Sequence, residues 1–188
     1  AGRPADSMAR STTSAPMLQP QPGAGPVLDG LDDRLFAAAI HKNKITGALT
    51  LWTAHNIKVS ASGVGSSAGD RNGSRWYEIG SLTATPTLLQ SGTLFDSAAI
   101  TPFGYWIPSV MMSGQGHAAL AASRASSDAS LGFASISAAG RLRTDAAGTT
   151  RAPTLAQGST FAYDTFVAGT ERWGDFSQTV VDPNDDQT

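Results

Sequence analysis

Apolar and polar positions alternate in short runs along most of the chain, and these runs predict strands. Ala48-Leu-Thr-Leu-Trp-Thr-Ala-His55, continued to Val59, is rich in β-branched and aromatic residues and reads as a strand. Arg75-Trp-Tyr-Glu-Ile79 reads the same way. So does 83–94, with Pro86 near its start or on a sheet edge. Tyr105-Trp-Ile-Pro-Ser-Val-Met-Met112 and His117-Ala-Ala-Leu-Ala-Ala-Ser123 flank Ser113-Gly-Gln-Gly116, which predicts a hairpin. Further strands are expected at 131–138 and 152–157. Residues 42–47 read as a turn, and in the Gly/Ser-rich stretch 60–74 the run Asp70-Arg-Asn-Gly73 is a strong turn signal. Arg34-Leu-Phe-Ala-Ala-Ala-Ile-His41 fits a short helix or a buried strand, and its length does not decide between them. The expected fold is all-β.

Two stretches organise the chain. Residues 1–30 hold five of the ten prolines and no aromatic residue. Such a stretch buries too little apolar surface to offset its ordering entropy by itself. It reads as a flexible linker or as an arm that docks on its own domain or on a partner. The second feature is a repeat. Thr85-Pro-Thr-Leu-Leu-Gln-Ser-Gly-Thr93 matches Ala152-Pro-Thr-Leu-Ala-Gln-Gly-Ser-Thr160 at five of nine positions, 67 residues apart, and the same step carries Trp106 onto Trp173. Repeated sets of four short strands with Gly turns suggest four-stranded antiparallel propeller blades. The expected organisation is an arm over 1–30 and a partial β-propeller over 31–188, with repeats near 31–100 and 101–168 and the start of a third at 169–188.

Composition narrows the partners. The 188 residues carry 13 basic and 15 acidic side chains, a formal charge of −2, with neither sign clustered. A generic nucleic-acid or anionic-membrane surface is not expected from that balance. No apolar run reaches the ~18 residues a transmembrane helix needs. No secretory leader is legible at Ala1, so any targeting segment is expected to have been removed already. With no cysteine, thiolate metal sites and Cys nucleophiles are excluded from this sequence.

Candidate chemistry concentrates near the end. Asp182-Pro-Asn-Asp-Asp186 places Asp182, Asn184, Asp185 and Asp186 at short spacing. Those hard oxygen donors suit Ca²⁺, and the same residues suit a turn between strands. Glu171, Arg172 and Asp175 flank Trp173. An Arg beside an Asp forms a buried pair that pins neighbouring blades, the preferred reading, or recognises a ligand carboxylate. Trp106, Trp173, Arg75 and Tyr77 are candidate ligand-binding residues: strand aromatics serve either as core or as sugar-stacking platforms. His41, His55 and His117 lie too far apart in sequence to suggest a metal site.

Arg172-Trp-Gly-Asp-Phe-Ser177 followed by Val181-Asp-Pro-Asn-Asp-Asp186 resembles the C-terminal part of bacterial secreted, sialidase-like β-propeller proteins. Arg34-Leu35, Leu51-Trp-Thr-Ala-His55, Arg75-Trp-Tyr-Glu-Ile79, Gly92-Thr93 and Tyr105-Trp-Ile-Pro-Ser109 look like the same group. The resemblance covers roughly residues 30–188 and implies a secreted or cell-surface protein. A regular Asp box is absent; Ser67-Ala-Gly-Asp-Arg-Asn-Gly-Ser-Arg-Trp76 is a stretched version at best. Two blades and part of a third do not close a ring, so a fragment, a processed product, or pairing with another chain or further blades is expected. The leading functional reading is a non-catalytic binding or assembly module for a glycan or a partner protein. A sialidase-like glycosidase is the second reading; it would draw on Arg34, Arg75, Arg172, Asp175, Tyr77 and Tyr163, with Arg172 and Asp175 the catalytic candidates. A self-assembling structural subunit is the third.

Overall fold

A computed structural model of the chain describes residues 14–23, 25–165 and 169–186. The first thirteen residues of the expected arm, and 166–168 at the expected end of the second repeat, lie outside the described residues. The fold is all-β, with no helix among the described residues. Eight strands form two sheets. The first comprises β1 (Ala38–Lys42), β2 (Leu49–Val59), β3 (Arg71–Gly80) and β4 (Thr87–Leu94). The second comprises β5 (Gly104–Met112), β6 (Ala118–Ala125), β7 (Ser135–Arg141) and β8 (Thr154–Gln157). Each sheet is an antiparallel meander in chain order. The segment left between helix and strand in the sequence ends as β1.

The 67-residue step fits this topology. Thr87 and Thr154 both open the fourth strand of their sheet, and Gln90 and Gln157 lie on those strands. The sheets meet where β2 and β3, the central strands of the first, face β5, the first strand of the second. Trp52, Ala54 and Trp76 of the first sheet pack against Val110, Met112, Ala118 and Leu120 of the second. Trp52 and Trp76 stack with ring centroids 5.5 Å apart and planes 17° from parallel.

One turn expectation is corrected. Asn72 and Gly73, read as a turn, lie inside β3 opposite Lys58 and Ile57. The physical reason is tertiary. A Cβ on Gly73 would sit 2.9 Å from Thr93 Cγ2 and 3.1 Å from Val59 Cγ2, so only glycine fits between β2 and β4 there. Asn72 is fully buried: its Oδ1 accepts from Met17 N at 2.8 Å and its Nδ2 donates to Met17 O at 2.8 Å.

The described part of residues 1–30 crosses both sheets. Lys58 N donates to Ser14 O at 2.9 Å. Gln19 is buried, donating from Nε2 to Ala125 O at 2.7 Å and accepting from Asn72 at 3.2 Å. The chain turns back, pairing Gln19 with Leu28, and Gly30 passes so close to Met17 O that a Cβ would lie 2.2 Å from it. Asn56 ties this segment to the second sheet: Nδ2 donates to Gly30 O at 3.0 Å, and Oδ1 accepts from Ile107 N at 2.6 Å. Ile107 adopts φ +53° at the β5 irregularity between Trp106 and Ser109. This conformation is costly for a β-branched residue. It frees Ile107 N for Asn56 and Ile107 O for Ser177 Oγ, 2.8 Å away.

Candidate functional site

Residues 29–36 and 171–176 are brought side by side by a short parallel pairing. Glu171 N donates to Val27 O at 2.9 Å, and Asp29 N donates to Glu171 O at 2.7 Å. The pairing places Asp29 beside Arg172 and opens a cleft of about 460 Å³. Arg34, Asp32, Arg172 and Asp175 supply its polar lining, with Asp29; Leu31, Leu35, Phe36 and Phe176 supply the apolar part. Phe36 and Phe176 meet edge to face, centroids 6.2 Å apart. Phe176 is 81% exposed, so its ring face is open to a ligand.

Both arginines are already paired. Arg34 grips Asp32 through Nε to Oδ1 at 2.9 Å and Nη2 to Oδ2 at 2.7 Å. Arg172 donates to Asp175 and approaches Asp29 at 3.9 Å; the pair is exposed at the cleft mouth, not buried between blades as expected. The hydrogen bond from Arg34 holds the Asp32 carboxyl below the usual carboxylate range. The bond to Asp175 raises Arg172 above the ordinary guanidinium value. Two cations against three anions leave the cleft with a formal charge of −1.

The other predicted residues sit elsewhere. Trp106 is fully buried with Leu28, Ile107 and Ala125, and Trp173 packs partly against that cluster. Trp173 Nε1 donates to Ser123 Oγ at 2.9 Å, and its ring meets Tyr163 edge to face at 5.1 Å. Tyr77 is bonded to His55 Nε2 at 2.9 Å on the face of the first sheet turned away from the second. Arg75 lies half-buried on that face with no hydrogen-bond partner for Nε, and burial lowers its pKa. None of Arg75, Tyr77, Trp106, Tyr163 or Trp173 lines the cleft. Of the lining residues, Arg34, Arg172 and Asp175 stood out as candidates in the sequence, whereas Asp29, Asp32 and Phe176 did not. For Phe176 a signal existed: it occupies an outward position of an alternating run.

The acidic stretch forms a turn. Asp182 Oδ1 accepts from Asn184 N at 2.8 Å and from Asn184 Nδ2 at 2.9 Å, while Asp182 O accepts from Asp186 N at 2.8 Å. Asp186 points away to His41 Nε2 and Lys44 Nζ, each at 2.6 Å. Among the described residues no three His, Asp or Glu side chains gather as a metal site would require.

His55 holds the backbone at Asp33, between the cleft residues Asp32 and Arg34. Its Nδ1 donates to Asp33 O at 2.6 Å, which leaves Nε2 to accept from Tyr77. Burial lowers the His55 pKa, the Asp33 carbonyl opposing it. Above the unfolded value of about 6.5 both states are neutral and His55 adds no pH dependence. Below it the unfolded chain binds the proton first, so stability falls with pH. The wild-type urea midpoint is therefore expected to drop between pH 7.5 and pH 5 by more than that of His55→Gln. Equal drops would remove the assignment.

Searches find no matching protein-family model, no similar curated protein and no similar solved structure. The functional reading rests on the residues themselves.

Proposed function

We propose that the chain is a non-catalytic, extracellular propeller-type β module that binds a neutral saccharide in the Arg34–Arg172 cleft. The exposed ring of Phe176 beside two Arg–Asp pairs carries this reading. A sugar presents apolar C–H faces and a rim of hydroxyls. The Phe176 ring suits the first, and oriented guanidinium and carboxylate groups suit the second. A carboxylated sugar would have to displace aspartates already bound to both arginines, against a formal charge of −1.

Two antiparallel four-stranded meanders with a common 67-residue step support the blade reading. Binding rather than turnover is favoured by the site's contents. A sialidase-like reaction draws on a tyrosine nucleophile, and Tyr77 and Tyr163 lie outside the cleft. Asp32 is held as an anion by Arg34, the opposite of what a general acid needs.

Titration calorimetry with neutral and acidic oligosaccharides tests the reading. A neutral sugar is expected to bind, with Phe176→Ala and Arg172→Ala each weakening it about tenfold, equivalent to ~1.4 kcal/mol. Turnover of a sialoside abolished by Arg172→Ala, or neutral-sugar binding indifferent to Phe176→Ala, overturns it.

A further inference from the structure

Residues 172–181 have the side-chain pattern of a strand without a sheet to belong to. Arg172, Gly174, Phe176, Gln178 and Val180 are exposed, while Trp173, Ser177, Thr179 and Val181 are partly covered; Asp175 alone breaks the alternation. Period two is the signature of extended backbone with two faces. The covered side chains pin the segment to the second sheet. Trp173 bonds Ser123, Ser177 bonds Ile107 O, and Thr179 Oγ1 meets Ser109 Oγ at 2.8 Å. The main chain makes no such ties. Among the described residues, no backbone N–H or C=O from Arg172 to Val181 bonds another backbone group.

The repeat says what this segment corresponds to. The 67-residue step carries β5 onto residues 171–179 and Trp106 onto Trp173. β5 is the first strand of its sheet and pairs antiparallel with β6, just as β1 pairs with β2. Residues 172–181 thus hold the place of a first strand, and among the described residues no second strand pairs with them.

We propose that residues 172–181 are an acceptor strand, which takes an extended polypeptide segment antiparallel along its unpaired backbone. The occupant carries the alternating apolar pattern that β2 offers β1. Main-chain hydrogen bonds supply the affinity, and the outward Phe176 and Val180, 81% and 69% exposed, set the preference for apolar side chains at alternate positions. A free edge of this length is otherwise an aggregation hazard. The inference rests on backbone pairing and shares only the Phe176 side chain with the saccharide reading, so peptide protection that survives Phe176→Ala while sugar binding is lost separates the two.

The full chain is titrated with a synthetic peptide of sequence LTLWTAHNIKV, the β2 segment Leu49–Val59, and amide hydrogen exchange is read residue by residue. Exchange is expected to slow about tenfold or more at alternate amides between 172 and 181. The same peptide N-methylated at every second residue, on its bonding edge, is expected to give no protection. Absence of binding, protection confined to the β4 or β8 edge, or equal protection by the N-methylated peptide overturns the proposal.

Discussion

Trp76→Ala is expected to cost about 3–5 kcal/mol of folding stability, read from urea unfolding with the slope held fixed. Trp76 is wholly buried where the two sheets meet, and it stacks on Trp52. It also carries the Arg141 guanidinium over its ring at 5.6 Å. Truncation removes one of the two indoles from the face that joins the sheets. The cavity has little means of collapsing, because Gly92 already packs its backbone against the indole. A Cβ there would lie 2.6 Å from Trp76 Cζ2 and 2.3 Å from Gly148 O. A typical domain has about 5–15 kcal/mol in all, so the variant is expected at the margin of folding. Trp76→Phe separates volume from stacking: it keeps an aromatic ring and is expected to lose less than Trp76→Ala. Equal losses for both would show that the indole's contact with Trp52 carries the effect.

Arg71→Met is expected to cost about 2–4 kcal/mol, far more than its surface pair suggests. The Arg71 side chain is buried, while its partner Asp70 is 61% exposed. The greater part of the effect comes from Nη1, which donates to Asp96 O at 2.5 Å and Ala98 O at 2.7 Å. Asp96 in turn accepts from Ala98 N and Phe103 N, both at 2.9 Å. The start of β3 therefore clamps the connection between the two sheets. Met fills similar space but leaves both carbonyls without a donor. Asp70→Asn is the control: an exposed pair contributes about 0–1 kcal/mol. Losses of similar size for the two variants would sink the carbonyl argument.

Much of the fold was legible because its signals are local. β2 and β5 have dense β-branched and aromatic content and fell within a residue of their observed ends. The third strand of the second sheet was expected at 131–138 and observed at Ser135–Arg141. Its Ala/Gly/Ser composition lacks alternation, and register there is set by pairing with β6. Asn72-Gly73 misled for a different reason: turn chemistry was outweighed by a docking arm some 55 residues distant. The candidate site was half legible. Arg172 and Asp175 stand out in a chain with little charge, but their neighbours Asp29, Asp32 and Arg34 arrive from roughly 140 residues away. No periodicity encodes that meeting; it depends on the Leu28–Glu171 pairing.

The strand order of the sheets bears on how the chain assembles. Every strand pairs only with its neighbour in sequence, so each pairing closes over a local connection at modest entropic cost. The far-reaching pairings belong to the two ends, where Gln19 reaches Ala125 and Leu28 reaches Glu171. Contact-order reasoning then expects the two meanders to form faster than the lacing of the first described residues and the last over them. The cleft, built from those same segments, depends on the pairings that cost the most loop entropy to close.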